Sequence, residues 1–259
     1  MKNKKSTLNK KFIITIVVAL LVGFVALVIR NYNTKTSFKY GKQAPQEVAT
    51  EAQDEVNAAV NKDAAEPAVA KRDDKLLLVK DSELVYGDRK APVVMIEYAS
   101  LSCPHCAMFY REAFEKLKAE YIDAGKVQFV YRDFPLNQQA LVAAMVAECR
   151  AKDEGNSSEK YYGLIKALFK TQDSWAFDPK YAEKLESIAK LDGMSGERFK
   201  SCIEDQKLQG KILQARMEAA KSLQLHSTPT FFIGGEISEG YVDYLSLKKI
   251  IDKKLSEVK

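Results

Sequence analysis

The residues best suited to chemistry in this chain are Cys103 and Cys106, separated by Pro104 and His105. Two cysteines three positions apart can close a small strained disulfide ring. If a helix starts at this pair, the sulfur of Cys103 meets the unpaired amide hydrogens of its first turn and the positive end of its dipole, and both favour the thiolate. Pro104 suits that turn, because its fixed φ is already helical and it has no amide hydrogen to leave unpaired. His105 adds a donor or a positive charge beside the same sulfur. A stabilised thiolate stabilises the dithiol, so the corresponding disulfide is easily reduced and the motif predicts an electron acceptor. Zinc is the competing use of such a pair, but it needs further ligands at short spacing. Cys149 and Cys202 stand apart, the only other histidine is His226, and no metal site is expected. A merely structural disulfide is the remaining alternative, and what surrounds the motif argues against it.

The elements that must position the pair are legible on either side. Residues 92–100 contain VVMIEYA, a nearly continuous apolar run that predicts a strand buried on both faces. After the cysteines, Cys106, Tyr110, Ala113, Phe114, Leu117 and Tyr121 recur at helical spacing, and Gly125 is placed to end that helix. Residues 127–134 predict a second strand, which completes a βαβ unit. Thr230 to Ile233 and the segment after Gly234 and Gly235 predict a hairpin that can join the same sheet. Residues 137–225 show only helical patterns, with Asp178 and Pro179 as cap and first position of one helix and Ser195 as the cap of another. Phe199, Cys202 and Ile203 mark an apolar face there. A last helix carries Tyr244, Leu245, Leu247, Ile250, Ile251 and Leu255.

Other single residues take their meaning from these elements. Glu97 lies inside the apolar strand, where burial would raise its carboxyl pKa and suit it to proton exchange with Cys106, whereas a solvent-facing position would leave it inert. Cys149 and Cys202 fall on separate helices of the 137–225 block. In an oxidising compartment they most simply form a structural disulfide, the alternative being two buried thiols. His226 is expected to be an ordinary loop residue and Trp175 to pack the helical block.

Charge locates the rest of the chain. The 259 residues carry a formal charge of +5, but residues 1–11 hold five lysines and no acid, which leaves 35 basic against 35 acidic residues elsewhere. Nothing in that balanced body resembles the clustered basic face that phosphate binding needs, and nucleic acid is not expected as a partner. Residues 12–29 are eighteen uncharged residues, about 27 Å as a helix, which predicts a membrane anchor, with a cleaved signal as the alternative. The preceding lysines place the N-terminus in the cytoplasm and everything after Arg30 outside it. Residues 43–70, with nine alanines, six acids and no aromatic residue, cannot bury enough surface to fold alone and predict a tether. The resulting organisation is an anchor or signal at 1–30, a flexible linker at 31–75 and one folded domain at 76–259.

The stretch MIEYASLSCPHC resembles the active-site strand and turn of the DsbA family of exported thiol–disulfide oxidoreductases. Glu97, six residues before Cys103, falls where that family carries a buried acid. The 137–225 block resembles its inserted helical subdomain, and Ser227-Thr228-Pro229-Thr230-Phe231 resembles its cis-proline loop. The resemblance covers 76–259. It implies an α/β thioredoxin-like fold with a helical insertion, Cys103 as exposed nucleophile, Cys106 as buried resolving thiol, and Thr228 with Pro229 as the backbone clamp for substrate. It also implies a periplasmic or extracytoplasmic location, reduced exported proteins as substrates, a DsbB-like membrane partner as reoxidant, and no cofactor. Thr228 departs from the valine of the best-known oxidase and resembles disulfide isomerases. An isomerase or reductase, or a non-catalytic chaperone on the same scaffold, are therefore the alternatives to an oxidase.

Overall fold

The computed structural model describes residues 74–258; the segment at 12–29 and nearly all of the linker at 31–75 lie outside them. Strand β2 (Val93–Ala99) is the axis of the fold, with six of its seven residues buried. It pairs in parallel with β3 (Val127–Asp133), Glu97 opposite Tyr131, and antiparallel with β4 (Thr230–Ile233), Glu97 opposite Phe231. Strand β4 turns through Gly234 and Gly235, both at positive φ (53° and 83°), into β5 (Glu236–Glu239). Side chains other than glycine resist that conformation, which is why the turn falls there. The outer edge of β3 carries β1 (Val85–Tyr86), antiparallel, so the sheet order is β1-β3-β2-β4-β5. The sequence gives no sign of β1, because two residues show no alternation; it is held by the Tyr86 ring stacked on Tyr162 at 4.6 Å.

Alternate residues of β2 enter two cores. Val93, Met95 and Ala99 face the larger one with the helical insertion and the last helix, while Ile96 and Tyr98 face a smaller one with Val130, Phe134 and Phe232. Each large apolar side chain buried this way contributes roughly 1.5–3 kcal/mol. The chain before β1 is pinned over the smaller core by Arg132, which donates to the Leu76 and Leu78 carbonyls, to Glu83 at 2.7 Å and to the Tyr98 hydroxyl at 2.7 Å.

The helix after the cysteines is less regular than its spacing predicts. α1 (Pro104–Glu112) stops at Ala113, α2 (Phe114–Leu117) follows, and the chain widens into a π turn at Lys118–Ile122 before Gly125. The wide turn brings the Tyr121 hydroxyl to the last helix, where it donates to Asp252 at 2.7 Å and accepts from Lys248 at 2.9 Å. No glycine or proline marks the interruption, so periodicity alone carries through it.

The insertion between β3 and β4 comprises α3 (Gln138–Asp153), α4 (Ser158–Lys170), α5 (Gln172–Trp175), α6 (Tyr181–Leu191), α7 (Gly196–Ile203) and α8 (Gln206–Ser222). Side chains cap four of them: Asn137, Ser157, Ser195 and Asp205 each accept from the amide three residues on. Asp178 is a correction. Its carboxylate accepts from Lys180 N at 2.7 Å and closes a turn, and helix α6 begins only at Tyr181. Trp175 is fully buried and donates from Nε1 to the Leu168 carbonyl. The last helix, α9 (Tyr244–Glu257), buries Leu247 and Ile251 completely but leaves Leu245 exposed.

Cys149 on α3 and Cys202 on α7 form a disulfide with Cα atoms 6.2 Å apart and a separation of 53 positions in sequence. Closing a loop of that length removes freedom chiefly from the unfolded chain, by up to about 4 kcal/mol. The double substitution Cys149→Ala, Cys202→Ala is expected to lower stability by about 2–4 kcal/mol in urea unfolding, while the thiolate titration of Cys103 stays in place.

Candidate active site

The site forms where β2 ends and α1 begins. From Ser100 to Cys103 the chain is buried: Cys103 N donates to the Ser100 carbonyl at 2.9 Å, and Ser100 Oγ accepts from Leu136 N at 3.2 Å. Cys103 is the N-cap of α1, with extended backbone, and Pro104 takes the first helical position. Pro104 and His105 are exposed, whereas Cys106, one turn in, is fully buried. Both cysteines are thiols in this structure. The Thr228–Pro229 peptide bond is cis, and the Cys103 thiol donates to the Thr228 carbonyl at 3.2 Å. Residues 125 positions apart thus meet at one sulfur.

The two sulfurs are electrostatically unlike. Cys103 is lowered from 9.0 to about 5, chiefly by the Cys106 thiol that can donate to it. Burial opposes this, and the Thr228 side chain and the amides of Cys106 and His105 add to the lowering. The Thr228 hydroxyl is buried without a hydrogen-bond partner while Cys103 is a thiol, so it is free to turn towards the anion. Cys106 is pushed well above its ordinary value by burial first, then by its donation to Cys103 and by the nearby charge of Glu97. One proton is therefore shared by the pair in its reduced form, and it resides on Cys106.

Glu97 lies on the β2 face that looks into the larger core, beneath the cysteines. It is fully buried, neither carboxyl oxygen has a hydrogen-bond partner, and burial holds its pKa well above the usual carboxylate range. The Tyr110 hydroxyl, one helical turn beyond Cys106, is near enough to oppose that rise, although no hydrogen bond joins the two in this structure. Leaving a carboxyl so unsatisfied is costly unless it is protonated, and a protonated Glu97 is a proton donor next to a sulfur that must gain and lose one.

The structure thus brings together Cys103, Cys106, His105, Glu97, Thr228 and Pro229. Cys149 and Cys202 are bonded to each other within the helical insertion, and His226 is an exposed loop residue. Two site residues escape a reading of the sequence. Tyr110 could have been found, being four residues after Cys106 and hence on the same helix face. Gln172 could not: nothing in its neighbourhood marks it, yet its side-chain amide donates to the Leu101 and Cys103 carbonyls at 2.7 and 3.0 Å.

With a thiol this acidic, the alkylation rate of Cys103 in the reduced protein is expected to rise with a midpoint near pH 5, Cys106 remaining unmodified. Mass spectrometry of the protein quenched at each pH checks both sites. Because Cys103 ionises more readily in the folded chain than in the unfolded one, it contributes stability to the reduced protein that is full above about pH 9 and fades as pH falls to about 5. The stability difference between reduced wild type and Cys103→Ser, measured by urea unfolding, should therefore widen from pH 5 to pH 8.

Comparison with known proteins agrees with this geometry. The family profile described as Thioredoxin matches residues 79–253. A Rickettsia prowazekii protein with the provisional name protein-disulfide oxidoreductase is 35% identical over 180 residues, which are 69% of this chain and 64% of that protein. The crystal structure of Wolbachia pipientis alpha-DsbA1 is 34% identical and superposes with a TM-score of 0.67, covering 71% of this chain and 96% of that one. BdbD from Bacillus subtilis, at 21% identity and a TM-score of 0.61 over 72% of this chain and 97% of its own, shares the fold. The chain belongs to the thioredoxin family, in the branch that includes the DsbA thiol–disulfide oxidoreductases.

Proposed function

We propose that this protein is a disulfide donor to exported proteins, acting through the Cys103–Cys106 disulfide on the extracytoplasmic side of a membrane that residues 12–29 anchor it to. The observation that carries this reading is the contrast between the sulfurs, Cys103 acidic at about 5 and Cys106 buried and raised. A dithiol with one such stabilised anion yields a disulfide that readily accepts electrons.

Starting from the disulfide, a substrate thiolate attacks Cys103 Sγ. The Cys103–Cys106 bond breaks, a bond from substrate sulfur to Cys103 forms, and Cys106 leaves as a thiolate that takes the proton of Glu97. A second substrate thiolate then attacks the substrate sulfur of this mixed disulfide, and Cys103 leaves as the thiolate that the helix end stabilises. Two electrons pass from the substrate dithiol to the cysteine pair; of the two substrate protons one goes to solvent and the other restores the proton that Glu97 gave to Cys106. Thr228 and Pro229 flank the first attack, since the Thr228 carbonyl is 3.2 Å from Cys103 Sγ and a chain bonded to that sulfur runs beside this backbone. Return to the disulfide requires a membrane-bound oxidant of the DsbB kind to take up the two electrons.

Thr228 favours a second reading. Its hydroxyl can stabilise the thiolate as a resting nucleophile, which suits an isomerase or reductase kept reduced by a membrane donor.

Because a stabilised thiolate leaves an easily reduced disulfide in either case, the redox state of Cys103 and Cys106 in the cell separates the two, oxidised for a donor and reduced for an isomerase or reductase, and the equilibrium of the full-length protein in detergent with glutathione tests the donor chemistry itself. A potential near that of DsbA, about −120 mV, is the expected result, and one near about −270 mV, in the thioredoxin range, would overturn the donor direction. Cys103→Ala should abolish disulfide transfer to a reduced test protein; retained activity would point to a scaffold that only binds.

A further inference from the structure

The helical insertion reaches the active-site loop through one side chain. Gln172, the first residue of α5, is 1% exposed, and its Nε2 bridges two backbone carbonyls, Leu101 O at 2.7 Å and Cys103 O at 3.0 Å. The Cys103 carbonyl also accepts the first bond of α1, from Ala107 N at 3.1 Å, so Gln172 supplies its second donor. The peptide planes joining Leu101 to Ser102 and Cys103 to Pro104 are both fixed by the same amide. With them is fixed the direction in which the Cys103 side chain leaves the backbone.

Gln172 acts from a rigid base. Residues at both ends of its short helix anchor it: Thr171, just before the helix, donates from Oγ1 to the Ala167 carbonyl at 2.8 Å, and the buried Trp175 donates to the Leu168 carbonyl at 3.1 Å, both carbonyls on α4. Asp173 meets Arg111 of α1 at 3.5 Å in an exposed pair that adds little energy but marks the same approach of α5 to α1.

We propose that Gln172 is a positioning residue for the thiol–disulfide chemistry, holding the loop so that the Cys103 sulfur, once ionised, meets the amides of His105 and Cys106. The proposal rests on the reading of Cys103 as the reacting sulfur and adds a residue that the sequence does not announce. Without the bridge, two buried carbonyls lose a donor, and rotating their peptide planes to find another moves the sulfur off the helix end. The amide also places the positive end of its own dipole at the loop, which favours the anion over the thiol. Both effects act on the reduced form more than on the disulfide, in which Cys103 carries no charge. A residue that only satisfied buried carbonyls would instead stabilise both redox forms alike.

The test uses the full-length protein and Gln172→Met, which keeps the length of the side chain and removes the donor. Alkylation of Cys103 against pH is expected to show a midpoint about one unit higher, that is, about ten-fold less thiolate at a given acidic pH. The glutathione equilibrium is expected to move about ten-fold towards the protein disulfide, because the dithiol has lost its stabilised anion. Gln172→Glu keeps the shape, but buried against two carbonyls its carboxyl stays protonated and donates to only one of them, so its shift should have the same direction and a smaller size. Should Gln172→Met fail to fold, Gln172→Glu decides. An unmoved midpoint together with an unmoved equilibrium, whatever happens to unfolding stability, would overturn the proposal. If the wild-type protein fails to transfer disulfides yet both variants shift the Cys103 midpoint, the functional reading fails and the positioning role stands. If the wild type transfers disulfides and the variants match it in both readouts, the positioning role alone fails.

Discussion

Everything in this fold answers to the problem of keeping a negative sulfur at the mouth of a helix in a nearly dry site. Cys103 is 6% exposed, and burial works against its ionisation. The thiolate is favoured only because donors converge on it from three directions: the Cys106 thiol from within the helix, the first-turn amides along its axis, and Thr228 from across the molecule. Only the first of the three belongs to the motif alone. The first-turn amides need α1 to begin at Pro104, which needs β2 to end at Ala99, and Thr228 needs β4 to return antiparallel beside β2 with Glu97 opposite Phe231.

The sheet and the insertion divide this task. The sheet carries both the acid and the loop of Thr228 and Pro229 to the cysteine pair, Glu97 near Cys106 and Thr228 beside Cys103. The insertion closes the remaining side with Tyr110 stacked on Phe169 of α4 at 4.3 Å and with Gln172 on the loop carbonyls. Its own rigidity comes from fully buried side chains such as Tyr162, Leu168 and Trp175 and from the link between Cys149 and Cys202. An apolar block of this kind excludes water from Glu97 without giving its carboxyl a partner, and that combination keeps a proton on it.

How much of this is legible in the sequence depends on the range of the interaction. The strand VVMIEYA, the partner strand at 127–133, the hairpin turning at Gly234 and Gly235, and the helical character of 138–222 follow from patterns a few residues long. The burial of Glu97 follows as well, since its neighbours on both sides are apolar. What fails to show is decided by contacts distant in the chain. β1 exists because Tyr86 finds Tyr162, the π turn lets Tyr121 reach Lys248 and Asp252, and Asp178 uses its carboxylate on a turn three residues before the helix it resembles a cap for. Gln172 is the extreme case. A glutamine after a threonine carries no signal, and only the tertiary fold shows that it bridges two carbonyls beside the reactive sulfur.

The distance in sequence between Cys103 and Thr228 bears on the birth of the protein. In an unfolded chain all four cysteines share one ordinary thiol acidity, near 8.5, and nothing distinguishes the pair that will react from the pair that will brace the structure. The difference is complete only when residues 125 apart have met. A chain with α1 formed but β4 not yet in place therefore holds cysteines lacking part of the environment that makes Cys103 acidic. Reactivity of this kind matures with β4, after the segment containing Cys149 and Cys202 has already been made.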